Sequence, residues 1–492
     1  MEKTLFHSSE KSNFILNMTE EKYSKLASRG LFIAMLMTPL FTLIPEISYT
    51  VSASGEAAYE FSSGGLVCGG VIAMIIAIIG MMKKYISKWN IFPVCAMGAM
   101  VLWGAVSLAN GVNLGISLYG YSTRGEGLLA IIFYFCFFAS AAALKRETAL
   151  KTVLDGIIGV GVLNSIISLV QIFTGKLSHY KSIGDDKNIY AASGLSMSPL
   201  FLAMVLTLAL TAALIGFVTS ESKKRRIVLI LCAALFSFVM MFTYSLIGFC
   251  GFAFALIITI AAVCVLKAPK KRLGGLLVSI VSAAAAVVIV FCGLIGTENS
   301  YSLHDGRILW WADGYYRASA CGIFDPAKVD IDDTLDVYSY LNRRSIDVIK
   351  NNPMVGTGPD QLAFAFIAPV DETTEQLSIS DFMINDVNKG TFDKVYNEYI
   401  YTAATRGIPS LIALVLVLIP VMVLGVRSFK KKRSAETFGI FAVALGGVLI
   451  FFVGCSSIPF APVFWTAAGA ACAELTTEKA SKAKEKLARK KK

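Results

Sequence analysis

The stretch PLFLAMVLTLALTAALIGFVTSESKKRR, residues 199–226, decides the fold. It opens with an unbroken apolar run free of charge, and about 20 such residues in α-helix reach across the roughly 30 Å hydrocarbon core of a bilayer. The run then meets Lys223, Lys224, Arg225 and Arg226, and basic residues beside a span mark its cytoplasmic end. One segment therefore gives both a membrane crossing and its direction.

The same pattern repeats on either side. Candidate runs lie near 31–48, 64–82, 91–109, 126–144, 152–174, 194–219, 226–244, 247–266, 273–295, 407–426, 436–454 and 457–474, which predicts an all-α, polytopic transmembrane bundle of about twelve spans. Composition agrees: 55% of residues are hydrophobic and 16% charged, with a mean hydropathy of +0.66, where a soluble domain carries about 25% charged residues. The polar lead before the first run is too long and too charged for a signal peptide and reads as a retained tail.

Basic connections alternate along the chain: Lys83, Lys84 and Lys88; Lys145, Arg146 and Lys151; Lys223 to Arg226; Lys267, Lys270, Lys271 and Arg272; Arg427 with Lys430 to Arg433. Lys22, Lys25 and Arg29 before the first run, and the tail from Lys479 to Lys492, join them. The expected organisation is a cytoplasmic N-terminal tail (1–30), nine spans (31–295), one large extracytoplasmic loop (296–405), three spans (406–474) and a basic cytoplasmic tail (475–492). The net charge of +11 is then a topology signal rather than a nucleic-acid one. The C-terminal tail reads as a charged, solvated end; contact with anionic lipid headgroups is the other reading.

Cys95, Cys136, Cys232, Cys250, Cys264, Cys292 and Cys472 fall inside expected spans, where cysteine is a small apolar residue. Cys321 and Cys455 lie on the outer side, where a bridge is chemically permitted. No CxxC or His/Cys cluster marks a metal site, and His7, His179 and His304 are far apart; no metal or cofactor is expected. Ionisable residues at the spans lie near their ends, as Glu46, Arg124, Glu126 and Asp155 do, whereas ion-coupled transporters keep such groups at mid-membrane depth. Asp155 reads as a cytoplasmic-end residue at a helix start. Arg124 reads either as a snorkelling interfacial arginine or as an anion contact.

The outer loop carries GRILWW (306–311), VIKNNPMVGTGPDQL (348–362) and KVYNEYIYTAATRGIPSL (394–411). Ser345 to Lys350 is expected to be helical and to end before Pro353. The GTGPD turn exposes backbone N–H groups that suit an anion, or it is simply a loop. A second helix is expected to start at Tyr396 and lead into the tenth span, with Arg406 and Gly407 at the membrane surface. Residues 366–393 read as a flap over the mouth, and the acidic run Asp325, Asp330, Asp332, Asp333 and Asp336 makes the loop acidic.

In this order these motifs resemble the O-antigen ligase and O-antigen polymerase superfamily. STRGEGLL (122–129) and ASGLSMSPLFLA (192–203) are similar to two further stretches of it, so the likeness covers roughly 120–425. The resemblance implies a bacterial cytoplasmic-membrane enzyme of cell-surface polysaccharide assembly. Such enzymes transfer sugar from an undecaprenyl-diphosphate-linked oligosaccharide to a glycan or lipid acceptor, without a metal and with inversion. Planar guanidinium groups hold phosphate oxygens well, so Arg307, on the GRILWW motif, leads the candidates, with Arg124, Arg343, Arg344 and Arg406 beside it. Asn397, Gly356, Gly358 and Trp311 complete the expected substrate contacts, and Trp310, Tyr315 and Tyr316 are further aromatics for sugar faces or for the membrane interface.

The acceptor hydroxyl must lose a proton. Where the family commonly has histidine before Asn-Glu-Tyr, this chain has Tyr396, a poor base near neutrality with an ordinary pKa of about 10. Glu398 is the first substitute and His304 the second. Leu246, in TYSLIG, also stands where many members have arginine, and the acidic insertion near 318–340 is a further departure. A lipid-linked oligosaccharide flippase or other transporter is the alternative, and it predicts short outer loops, an internal repeat and polar groups along the mid-membrane. A catalytically dead binding protein is a third reading.

Overall fold

The computed structural model describes residues 18–42, 62–120, 125–174, 177, 192–243, 245–291, 334–367 and 394–476. Arg124, His179, His304, Arg307, Trp310, Trp311, Tyr315, Tyr316, Cys321, the acidic run up to Asp333 and most of the expected flap lie outside them. In chain order the helices are α1 (Glu20–Leu40), α2 (Ser62–Met82), α3 (Ile91–Ser107), α4 (Leu114–Tyr119), α5 (Leu128–Ala142), α6 (Glu147–Thr174), α7 (Pro199–Thr219), α8 (Lys223–Met241), α9 (Leu246–Leu266), α10 (Leu276–Phe291), α11 (Thr334–Asn351), α12 (Leu362–Ile367), α13 (Glu398–Lys431), α14 (Ala435–Ile450) and α15 (Ala461–Cys472). There is no strand among the described residues.

Each of the twelve apolar runs holds one helix. Seven described helices are long and apolar enough to cross a membrane; α5, α14 and α15 are apolar but have 15, 16 and 12 residues. Some boundaries move. The expected tail 1–30 overlaps α1, because the Thr19 hydroxyl caps a helix that starts at Glu20, well before the apolar residues begin. The helix in the expected 194–219 run starts only at Pro199, with Ser198 accepting from the Leu200 N–H at 3.3 Å. From there α7 is buried on almost every side and forms the centre of the bundle.

Ion pairs and caps gather the basic connections on one face. Arg146 meets Glu21 at 3.7 Å, Arg272 meets Glu221 at 3.4 Å, Lys432 pairs with Glu147, and the Arg427 guanidinium lies 3.8 Å from the Trp89 ring centroid. Asn90 donates to the Ala142 carbonyl at 2.8 Å and the Cys472 carbonyl at 3.4 Å, and the Thr476 N–H donates to the Lys145 carbonyl at 3.0 Å. Asp155, about two turns into α6, takes both guanidinium nitrogens of Arg225, at 2.6 and 3.2 Å. From this face α3 runs to Ser107, α14 to Phe451, and α5, α13 and α15 arrive from Glu126, Arg406 and Ser457. Those far ends meet one another on the opposite face, where Ser107 donates to the Thr405 carbonyl at 3.0 Å and the Glu398 N–H to the Phe451 carbonyl at 3.0 Å.

On that opposite face α13 is interrupted at Gly407, with φ 80° and ψ 167°. Regular helix would pair the Ala404 and Thr405 carbonyls with the N–H groups of residues 408 and 409, but residue 409 is proline and has none. The turn after α11 supplies the missing donors: the Thr357 N–H reaches the Ala404 carbonyl at 3.0 Å and the Gly358 N–H the Thr405 carbonyl at 2.9 Å. In return the Ile408 N–H donates to the Pro353 carbonyl at 2.7 Å. Trp103 and Asn110, at the end of α3, clamp the same turn through the Met354 and Gly356 carbonyls.

A Cβ at residue 407 would lie 2.0 Å from the Met354 carbonyl oxygen, in a backbone region that only glycine occupies readily. Gly407→Ala is expected to lower stability by at least about 1–3 kcal/mol from strain alone. The check is the melting temperature of detergent-purified protein, and an unchanged value would rule out this account of the break.

Candidate active site

The break turns a short N-terminal piece of α13 across the mouth of the bundle, and its first residue is fixed by Asn397. The Asn397 Oδ1 accepts from the Tyr399 and Ile400 N–H groups, both at 3.1 Å, while its Nδ2 donates to the Phe452 carbonyl at 3.2 Å. Glu398 is thereby pinned against the end of α14 and its carboxylate points inward. Oε2 accepts from the Ser456 N–H at 2.7 Å and its hydroxyl at 2.8 Å; Oε1 accepts from Thr402 at 3.1 Å and from Arg406 at 3.4 Å. The same Arg406 nitrogen donates to the Thr402 hydroxyl at 2.7 Å. Residues four apart share a helix face, so 398, 402 and 406 form one continuous polar row.

Lys394 enters beside this row. Its ammonium pairs with Glu126, donates to the Ser456 carbonyl at 2.9 Å, and sits 5.9 Å from the Phe201 ring centroid and 5.2 Å from that of Tyr401. The other Glu126 oxygen accepts from the Tyr134 hydroxyl at 3.3 Å, and the Tyr401 hydroxyl donates to Asp360 Oδ1 at 2.9 Å. Asp360 holds a left-handed backbone, φ 57°. Glu126, Asp360, Lys394, Glu398 and Arg406 are all buried. All of these except Lys394 border a cavity of about 20 Å³ together with Tyr134 and Tyr401, which is room for a single water.

Of the residues singled out from the sequence, the structure brings Glu398 and Arg406 together and corrects the roles of several others. Glu398 as proton acceptor is disfavoured in this arrangement: its four donors match the roughly four lone-pair sites of a carboxylate. Tyr396 precedes α13 rather than starting it, and packs partly buried against the apolar core. Asn397 is a helix cap, not a free substrate contact. Gly356 and Gly358 do not form an anion cradle, because the Gly356 N–H goes to the Asn352 carbonyl and the turn's next two N–H groups go to α13. Arg343 and Arg344 lie on α11, whose Leu341 joins Leu362, Phe366, Val395, Tyr401 and Ala404 in a small apolar cluster; Arg344 donates to the Phe366 carbonyl at 3.4 Å.

The expected cationic pocket is therefore not what the described residues make. Two cations, Lys394 and Arg406, face three carboxylates, Glu126, Asp360 and Glu398, in a compact and nearly neutral network. Arg124, Arg307, His304 and Trp311 lie outside the described residues. Lys394, Asp360, Tyr134 and Ser456 are missed by a sequence reading centred on arginine and histidine. The usable signal was Lys394 standing just before the Asn-Glu-Tyr block, since a lysine beside apolar Val395 has to find an acid when it is buried.

Residues 231–415 match the family model described as O-antigen ligase. This stretch of the chain is similar to the O-antigen ligase family. The match begins within α8 and ends within α13, so the ligase domain contributes Asp360, Lys394, Glu398 and Arg406, while Glu126, Tyr134 and Ser456 come from outside the matched residues. No curated protein matches the chain. The O-antigen ligase family is one of glycosyl-transfer enzymes with lipid-linked oligosaccharide and polysaccharide substrates, and the apolar helices agree with an integral membrane protein.

Removing one partner of a buried ion pair strands the other. Lys394→Met is expected to destabilise the protein by about 3–5 kcal/mol, and adding Glu126→Leu to recover most of that loss. A double-mutant cycle in chemical or thermal denaturation reads both, and two independent, additive losses would show that the pair is not coupled.

Proposed function

We propose that the protein is a membrane glycosyltransferase that takes an oligosaccharide from an undecaprenyl diphosphate carrier and joins it to an acceptor hydroxyl, as ligase or polymerase, by a single inverting displacement without a metal. In this reading the basic face is cytoplasmic, both tails lie inside, the bundle crosses the membrane twelve times, and residues 296–405 form the outer catalytic loop. The observation that carries it is the convergence of four residues of the ligase domain, Asp360, Lys394, Glu398 and Arg406, in one buried cluster on the face opposite the basic connections.

The chemistry divides among the residues. Negative charge grows on the departing diphosphate, and preorganised donors aimed at it lower the barrier. Arg307 is assigned that role, with Arg124, Arg343 and Arg344 as further phosphate contacts and Trp311 as a sugar platform. Arg406 stands at the inner end of the same mouth, oriented by Glu398 and Thr402 rather than left to reorganise. Glu398 is thus a positioning residue. Proton acceptance is assigned to Asp360, which borders the cavity and already holds the Tyr401 hydroxyl. Transport is the weaker reading, because the polar groups close on one another around a space for a single water instead of lining a path.

Purified full-length protein in nanodiscs is to be incubated with lipid-linked oligosaccharide, with and without an added acceptor. A ladder of longer lipid-linked products marks a polymerase, glycan on the added acceptor marks a ligase, and chemically unchanged donor overturns the proposal. Arg307→Ala is expected to abolish transfer while the protein still inserts and purifies. Arg406→Lys is expected to cost about 100-fold or more in kcat, since an ammonium cannot keep the planar arrangement toward Thr402 and Glu398. Wild-type rates in both variants would sink the assignment.

A further inference from the structure

On the basic face, away from the candidate active site, a cleft of about 160 Å³ opens between the connection before α3, the end of α13 and the end of α15. Trp89, Leu424 and Leu475 give it apolar walls, and Arg427, Lys431 and Lys432 line it with positive charge. Lys432 is committed to Glu147, and the exposed Lys431 reaches Glu474, a half-buried carboxylate that also lines the cleft, at 3.8 Å. Arg427 has no carboxylate within ion-pair distance among the described residues; its guanidinium carbon instead lies over the half-exposed Trp89 ring, 3.8 Å from the centroid.

The cleft continues into an exposed apolar stripe. Ile412, Leu416, Ile419, Val423 and Val426 are exposed at helical spacing along α13, and they lead from the broken end of the helix straight to Arg427. The neighbouring α3 offers Ile91, Phe92 and Leu102 in the same way. We infer that this cleft is a binding site for one anionic phospholipid, whose phosphate lies between Arg427 and Lys431 and whose acyl chains follow the α13 stripe beside α3. Charge selects the occupant: a zwitterionic headgroup brings its own ammonium to a site already rich in cations, whereas an anionic phosphodiester leaves no such clash. The Trp89 ring preorganises Arg427, which lowers the entropic cost of holding the phosphate. Snorkelling cations beside a span are common, but they need neither a cleft nor a guanidinium held over an indole ring. The inference does not rest on the glycosyl-transfer reading.

The test uses the full-length, detergent-purified chain and native mass spectrometry after addition of phosphatidylglycerol or phosphatidylcholine. Phosphatidylglycerol is expected to be retained preferentially, and brominated phosphatidylglycerol to quench tryptophan fluorescence by a component that Trp89→Phe removes. Arg427→Ala with Lys431→Ala is expected to weaken retention by about fivefold per cation, while the charge-matched pair Lys270→Ala with Lys271→Ala leaves it unchanged. Lys431→Gln alone, at an exposed position, serves if the double variant does not fold. Equal retention of the two lipids, equal loss in both double variants, or displacement by soluble glycerol phosphate as effective as by lipid would each overturn the inference.

Discussion

The structure depends on how backbone groups released at Gly407 are satisfied. An unpaired carbonyl costs several kcal/mol where water is scarce, and residues 404–407 are buried, so the helix cannot simply stop there. The Gly-Ile-Pro sequence imposes the interruption, and the Thr357 and Gly358 N–H groups resolve it. The turn is consequently not free to move independently of α13. Its position sets Asp360, and the direction it gives to residues 398–406 sets Glu398 and Arg406. Sequence blocks about 40 residues apart become one unit because each completes the other's hydrogen bonding.

A buried network of charges is a costly thing to maintain. Well-packed apolar residues of similar volume would hold the same helices together at no greater expense, so adhesion alone does not account for five ionisable side chains at one spot. Here the contacts are directional: hydroxyls, backbone amides and aromatic rings surround the charges and fix their orientation. Such an arrangement holds dipoles ready before substrate arrives, which is what electrostatic catalysis requires. It also explains why the described cluster is nearly neutral. Charges that balance one another survive burial in the absence of ligand.

Long apolar runs made the helical fold readable in advance, because hydrophobic length is a property of contiguous sequence. Boundaries were less readable where a cap overrides hydropathy, as Thr19 does for α1 and Ser198 for α7. Within the site, Glu398 and Arg406 were legible as members of one motif. Their relation was not, since it depends on Ser456, from a loop beyond α14, taking up the second carboxylate oxygen. Lys394 and Glu126 are 268 residues apart, and neither has a local pattern that names the other. The GTGPD turn misled for a physical reason: exposed N–H groups suit an anion and a broken helix equally, and only the fold says which acceptor is present.

The boundary of the ligase domain carries a further consequence. The matched residues stop at 415, yet the carboxylate that neutralises Lys394 belongs to the approach to α5, and the group that saturates Glu398 belongs to the approach to α15. Helices α5, α14 and α15 are short for membrane spans, and the non-helical segments that carry Glu126 and Ser456 precede α5 and α15 at this face. A longer α15 would take the Ser456 N–H into its own hydrogen bonds and away from Glu398. Shortness of the flanking helices and completeness of the charged network are therefore one structural fact, and a ligase domain transplanted without them would keep its motif while losing the partners that orient it.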